Sequence, residues 1–162
     1  MQTFTRAALW VGVGIAAVIV TPHLNAADGD AKAGKSRQAA AEIPWPSAWN
    51  VAQPGARPSP SLQSLVVRGD PNEQELYSIM YKAGPGTKLT AHSHPDERSC
   101  FVLEGTWYFG YGEKWNDAGL KALPAGSHYS EPANAPHFAG TRDGTAVVEC
   151  TAVGPSDTKS LE

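Results

Sequence analysis

From Leu62 onward the chain breaks into short runs of β-forming residues, each closed by a cluster of turn residues, and this punctuation leaves no room for long helices. The turns stand at Gly69-Asp70-Pro71-Asn72, Gly84-Pro85-Gly86, Pro95-Asp96, Glu104-Gly105, Pro124-Ala125-Gly126, Pro132-Ala133-Asn134 and Asp143-Gly144. The runs between them predict strands at 62–68, 75–82, 89–94, 100–103, 106–111, 119–123, 128–131, 138–140 and 146–153. No stretch after Ile43 carries a helical period over three turns, and only 113–119 has room for a single helical turn. This is the pattern of an all-β sandwich or barrel.

The rest of the chain sets the frame around that domain. With 162 residues it has room for one ordinary domain. A net charge of -3 with scattered Lys and Arg leaves no basic face, which excludes nucleic acid as a partner. Residues 1–26 read as a signal peptide: one positive charge in 1–6, then an uncharged run over 7–20, short of the about 20 apolar residues that span a bilayer. Leu24-Asn25-Ala26 before Ala27 is an imperfect cleavage site, so an uncleaved N-terminal anchor stays open. No Cys follows, which excludes a lipoprotein. The expected location is periplasmic or secreted, with no stable membrane span after cleavage. Residues 27–60 form a linker and arm, polar to Glu42 and then interrupted by Pro44, Pro46, Pro54, Pro58 and Pro60, so the arm is extended. Trp45 and Trp49 are expected to pin it to the barrel, which occupies 61–155 and is followed by a tail at 156–162.

Strand alternation fixes which side chains share a face. Thr90, His92 and His94 point one way, so two imidazoles neighbour each other on one surface. Trp107, Phe109 and Tyr111 form a second set and Tyr77, Ile79 and Tyr81 a third, which read as core packing. A metal needs neutral imidazoles within about 2 Å of one point, and two residues apart on a strand supplies two of them.

The spacing extends further. Gly86, five residues, His92, one, His94, three, Arg98, six, Gly105 resembles the first motif of the cupin superfamily, G(X)5HXH(X)3-4E(X)6G. Gly126, five residues, Pro132, one, Asn134, two, His137, three, Thr141 resembles the second, G(X)5PXG(X)2H(X)3N. The blocks span 86–141 and the likeness extends more loosely over 62–153. The wording H-P-D-E-R, F-V-L-E-G-T-W-Y-F-G and E-P-A-N-A-P-H-F is similar to small bacterial single-domain cupins. The resemblance implies a jelly-roll β-barrel and one divalent metal ion (Fe, Mn, Zn or Ni) on His92, His94 and His137. Three positions depart from it: Arg98 stands where the family carries a fourth ligand, Asn134 replaces a Gly, and Thr141 an Asn. Arginine stays protonated and cannot ligate. A dication and an arginine about 8 Å apart repel by roughly 4 kcal/mol at an effective dielectric of about 20, so an anion is expected between them. Glu131 is the first candidate, Glu97 the second, and an anionic substrate gripped by Arg98 the third. Glu97 is one residue early, so its side chain turns to the opposite face unless the Pro95-Asp96 turn is tightened.

In jelly-roll connectivity the strands carrying Cys100 and Cys150 are neighbours, which allows a disulfide; two buried small hydrophobes are the alternative. His128 has the opposite parity to Glu131 and reads as a surface or packing residue.

The expected function is that of an exported metal-dependent enzyme, dioxygenase-like or isomerase or lyase, acting on a small anionic molecule. Arg98 and Glu131 are its catalytic candidates, with Glu97, Tyr108 and Cys100 lining the pocket. The alternatives are a non-catalytic periplasmic protein that binds a small ligand or metal, and a partner-binding role. The expected partners are a small-molecule ligand and, in a homodimer, a second copy of the chain.

Overall fold

In–out alternation helps to build the barrel. The fourth strand shows it most clearly: Arg98, Cys100 and Val102 are buried while Ser99, Phe101 and Leu103 are exposed. The computed structural model describes residues 37–46 and 61–162. Its strands are β1 (Leu62–Arg68), β2 (Leu76–Ala83), β3 (Lys88–Ser93), β4 (Arg98–Glu104), β5 (Thr106–Tyr111), β6 (Lys121–Pro124), β7 (His128–Glu131), β8 (His137–Gly140), β9 (Ala146–Val153) and β10 (Lys159–Ser160). They form two five-stranded sheets, ordered β1-β2-β9-β4-β7 and β10-β3-β8-β5-β6, and every pairing is antiparallel. This is a jelly roll.

The inner faces meet in one apolar core of Tyr77, Ile79, Val102, Trp107, Phe109, Leu123, Tyr129 and Val148, with the two cysteines. Each fully buried aliphatic or aromatic side chain contributes about 1.5–3 kcal/mol, so this layer dominates the stability.

The glycines that open the two motifs, Gly86 (φ 70) and Gly126 (φ 87), occupy the left-handed region their turns require. Asn134 stands in for a third, at φ 60, a conformation asparagine tolerates better than most residues. Its N–H donates to His94 O at 2.6 Å, joining the two motif blocks. Thr141, where the family has Asn, accepts from Thr87 N at 3.0 Å and donates to Gly84 O.

Four expectations need correction. The run at 119–123 begins as a strand only at Lys121, because 117–119 close into a 3-10 turn capped by Asn116, whose side chain accepts from Ala118 N at 3.1 Å. The fourth strand starts at Arg98 rather than Cys100, which brings the arginine into the ladder. The third ends at Ser93, and His94 lies just beyond it. Residues 156–162 are not a free tail: β10 pairs with β3 through Lys159 and Ser93, and Ser160 and His92. In the arm, Trp45 lies 5.7 Å from Lys82 Nζ, and Pro46 O accepts from Gln63 Nε2 at 2.6 Å, so this part does rest on the barrel. The signal peptide, Trp49 and most of the linker lie outside the described residues.

Candidate metal centre

The site begins with strand pairing. His92 on β3 and His137 on β8 are direct cross-strand partners, and β3 carries an extra residue between Leu89 and His92, a bulge that re-aims this end of the strand. His94 follows two residues on. The three rings lie with centroids 5.1, 4.4 and 5.2 Å apart, and their ligand nitrogens are all within 4.8 Å of one another. His94 and His137 are buried and His92 partly so.

Each ring is fixed by its Nδ1. His92 donates to Thr90 O at 2.7 Å, His137 to Ala135 O at 3.0 Å and His94 to Asp157 O at 2.8 Å. A carbonyl only accepts, so Nδ1 carries the proton and each neutral ring keeps its lone pair on Nε2. Glu131 enters from β7, with Oε2 3.6 Å from His94 Nε2 and Oε1 3.7 Å from His137 Nε2. His137 Nε2 and Glu131 Oε2 are buried without a hydrogen-bond partner. Acceptor atoms converge here with no donor among them, a set that fits a divalent cation and is costly without one.

Burial comes first among the causes that keep the rings neutral. It pushes His92 and His137 down to about 4 and His94 to about 2, helped by His137 for His92 and by Arg98 for His94. Burial likewise raises Glu131, which the Arg98 charge opposes. A dication at the centre would favour the ionised carboxylate.

The histidine shifts have a measurable consequence for the metal-free protein. Because their folded values lie below the ordinary 6.5, the unfolded chain binds more protons between them. The contribution is full above about 6.5 and is lost as pH falls toward about 4, at about 1.4 kcal/mol per unit for each group. Thermal unfolding in chelator should show Tm falling over this window, with a shallower slope in His137→Gln. A flat profile from pH 6.5 to 4 would contradict the neutral assignment.

Arg98 is a buried charge inside the barrel, 2% exposed. Its Nε donates to Asp96 Oδ2 at 2.9 Å and its Nη2 to Ser156 Oγ at 2.6 Å, while Nη1 lies 3.6 Å from Glu131 Oε2 and 3.4 Å from Tyr81 OH. The expected anion between arginine and histidines is therefore Glu131, the register partner of Arg98 across β4 and β7. Where the family places a carboxylate on β4, this chain has an arginine on β4 and a carboxylate on the strand beside it. Asp96, which sequence reasoning missed, takes the rest of the guanidinium and accepts from Tyr77 OH at 2.6 Å. Burial pushes the Asp96 carboxyl upward, but Arg98 outweighs it and holds it below its ordinary value. Burial pushes Tyr77 up to about 12. The signal for Asp96 was its parity with Arg98 and Cys100.

Three expected pocket residues are corrected. Glu97 is exposed: the turn brings Asp96 and Arg98 inward, so the residue between them faces solvent. Tyr108 lies on the outer face of β5, opposite Trp107 and Phe109, with the Arg142 guanidinium 4.6 Å from its ring. Cys100 has no free thiol, because it is bonded to Cys150, its register partner on β9. Its sulfur does lie within 4.8 Å of a Glu131 carboxylate oxygen, so the disulfide borders the centre. Arg98 has its donors engaged by protein groups, which leaves it a positioning role toward Glu131 in place of a substrate clamp. His128 is exposed and meets Ser99 Oγ at 3.0 Å, as its parity suggested. Phe109 stacks 5.5 Å from His137 and 4.5 Å from Tyr129, lining the interior.

The sequence matches no family model and no curated protein. Solved structures match its fold. The polyketide cyclase RemF from Streptomyces resistomycificus is 17% identical with a TM-score of 0.61, over 79% of this chain and 86% of that one. An uncharacterized conserved protein with a double-stranded β-helix domain from Klebsiella pneumoniae is 21% identical, TM-score 0.52, over 66% of this chain and 90% of its own. Salicylate 1,2-dioxygenase from Pseudaminobacter salicylatoxidans is 14% identical, TM-score 0.51, over 66% of this chain and 32% of that longer one. At such identities the likeness speaks to architecture. The strand order, the two motif blocks and these neighbours agree on one architecture, a cupin-type jelly roll.

Proposed function

We propose that this chain is an exported mononuclear metal enzyme acting on a small oxygen-bearing molecule, with His92, His94 and His137 as ligands and Glu131 beside them. The observation that carries the reading is the convergence of three Nε2 lone pairs and a buried carboxylate, with two of these atoms unpartnered. A bound divalent ion would supply Lewis acidity toward a substrate oxygen or, as iron, dioxygen chemistry. The chain's own groups orient and exclude. The carbonyls of Thr90, Ala135 and Asp157 hold the rings, Phe109 and Tyr129 keep the inner side dry, and Glu131 is placed to take or return a proton 3.6–3.7 Å from two ring nitrogens. Arg98 is balanced by Asp96 and Glu131, so a substrate's negative charge would be met by the metal rather than by a free cation. Export is supported by the Cys100–Cys150 disulfide, a bond that persists in oxidising compartments. Among the described residues no helix is long and apolar enough to cross a membrane.

A second reading, a non-catalytic metal or small-ligand binder, is favoured by the same Glu131 contacts: a carboxylate in the fourth position would close the site. Elemental analysis of the purified exported protein should find about one equivalent of a divalent metal, lost in His137→Ala while the fold persists by circular dichroism. Absence of metal from the native protein, after anaerobic reloading with Fe, Mn, Zn and Ni in turn, would remove both readings. Dioxygen uptake and product formation across small acids and phenolics then separate enzyme from binder.

A further inference from the structure

The three imidazoles are not supported in the same way. His92 and His137 each donate Nδ1–H to the carbonyl two residues earlier, at Thr90 and Ala135, so their own strands set their rings. His94 has left β3 and has no such local support. Its Nδ1 donates to Asp157 O at 2.8 Å, with Thr158 Oγ1 at 3.2 Å, both from a segment 63 and 64 residues away in sequence. The neighbouring Ser156 accepts from Arg98 Nη2 at 2.6 Å. Three consecutive residues outside both motif blocks thus hold one ligand and the guanidinium that faces Glu131.

The segment is itself anchored to the barrel. Gly154 N donates to Glu75 O at 3.0 Å, Ser156 N to Pro71 O at 2.7 Å and Leu161 N to Ala91 O at 2.9 Å. β10 pairs with β3 beside His92 and Ser93. Thr158 is buried although the residues on both sides of it are exposed.

We infer that residues 154–162 are a strap belonging to the metal centre, whose docking on β3 and metal binding are one coupled equilibrium. The inference rests on the three-histidine reading above and adds the segment that makes His94 a competent ligand. With the strap docked, the Nδ1 of His94 is satisfied and Nε2 is aimed at His137 and Glu131. With it released, the ring is free to rotate and a buried N–H loses its acceptor. Outer partners of a ligating histidine typically account for 10–100-fold in metal affinity. By reciprocity, whatever factor the docked strap adds to metal affinity, the metal adds to strap docking.

The test uses metal-stripped full-length protein and Zn2+ or Co2+ alone. Zn2+ affinity is measured by chelator competition for wild type, Thr158→Val, a variant lacking residues 156–162 and, as a control outside strap and site, Lys121→Ala on the exposed side of β6. The expected order is wild type equal to Lys121→Ala, Thr158→Val several-fold weaker, and the deletion 10–100-fold weaker with an altered Co2+ d–d spectrum. Because the deletion also removes β10 from the edge of β3, the decisive measurement keeps the strap in place: hydrogen exchange at the Ser156 and Leu161 amides should slow when Zn2+ is added, and this slowing should vanish in His94→Ala. Wild type that binds Zn2+ with no change at these amides, or Thr158→Val binding as tightly as wild type, overturns the strap inference alone. Wild type that binds neither ion overturns the three-histidine reading and the strap inference with it.

Discussion

Replacing Arg98 with Met is expected to cost about 3–5 kcal/mol at neutral pH, the scale found when one partner of a buried ion pair is removed. The methionine fills most of the volume, so the loss is electrostatic. It strands Asp96, whose Oδ1 already lacks a hydrogen-bond partner, and Glu131, whose Oε2 has no hydrogen bond and would lose the guanidinium 3.6 Å away. The pH dependence identifies the cause. In wild type the Asp96 carboxyl is held below its ordinary value, so its contribution is present above about 4 and is lost in stronger acid. Without the guanidinium, burial would raise Asp96 instead, and the variant would lose stability as pH rises from about 4 to 7. The gap between the two proteins should therefore widen toward neutrality in urea titrations. Arg98→Met/Asp96→Asn should cost less than the sum of the single changes, because the two groups stabilise one another. Arg98→Lys should not restore wild-type stability, since one ammonium cannot reach Asp96, Ser156 and Glu131 in the geometry of a planar fork. A penalty below about 1 kcal/mol for Arg98→Met, constant with pH, would mean that the interior charges do not hold one another.

This network shows where reading the chain residue by residue succeeds and where it stops. Alternation placed His92 and His94 on one face, and motif spacing brought His137 to them, because both depend on local strand geometry. The charge argument placed an anion between the arginine and the histidines, and Glu131 fills that position. The same period-2 logic turned Glu97 outward once Arg98 was known to face in. What local pattern could not supply was contact between elements distant in sequence. Asp157 and Thr158 reach His94 only because β10 adds to the edge of β3, and a two-residue strand carries almost no periodic signal. Tyr108 was misplaced for a related reason: an aromatic beside a motif does not reveal which face of the strand it occupies, whereas buried Trp107 and Phe109 on either side do. The candidate metal site is therefore legible in its histidines and illegible in their supports.

The second large effect belongs to the Cys100–Cys150 disulfide, which joins β4 to β9 across a sequence separation of 50. Closing a loop of that length is expected to stabilise by about 4 kcal/mol through the entropy it removes from the unfolded chain. Both sulfurs are buried in the core, so Cys100→Ala/Cys150→Ala adds a small packing loss. Urea unfolding should show the midpoint falling with the double alanine variant and, to a similar extent, on reduction. Mass spectrometry with alkylating reagent should find no free thiol in the untreated protein. The consequence for the candidate metal site is different. The backbone ladder between β4 and β9 pairs Arg98 with Ala152, and Ser99 with Thr151, independently of the sulfurs. That pairing, with the β7 contact that places Glu131, keeps the interior arrangement when the crosslink is absent. The double variant should therefore lose stability yet bind metal with wild-type stoichiometry below its unfolding transition. Loss of metal with little loss of stability would instead mean that the disulfide, lying within 4.8 Å of the Glu131 carboxylate, shapes the centre directly.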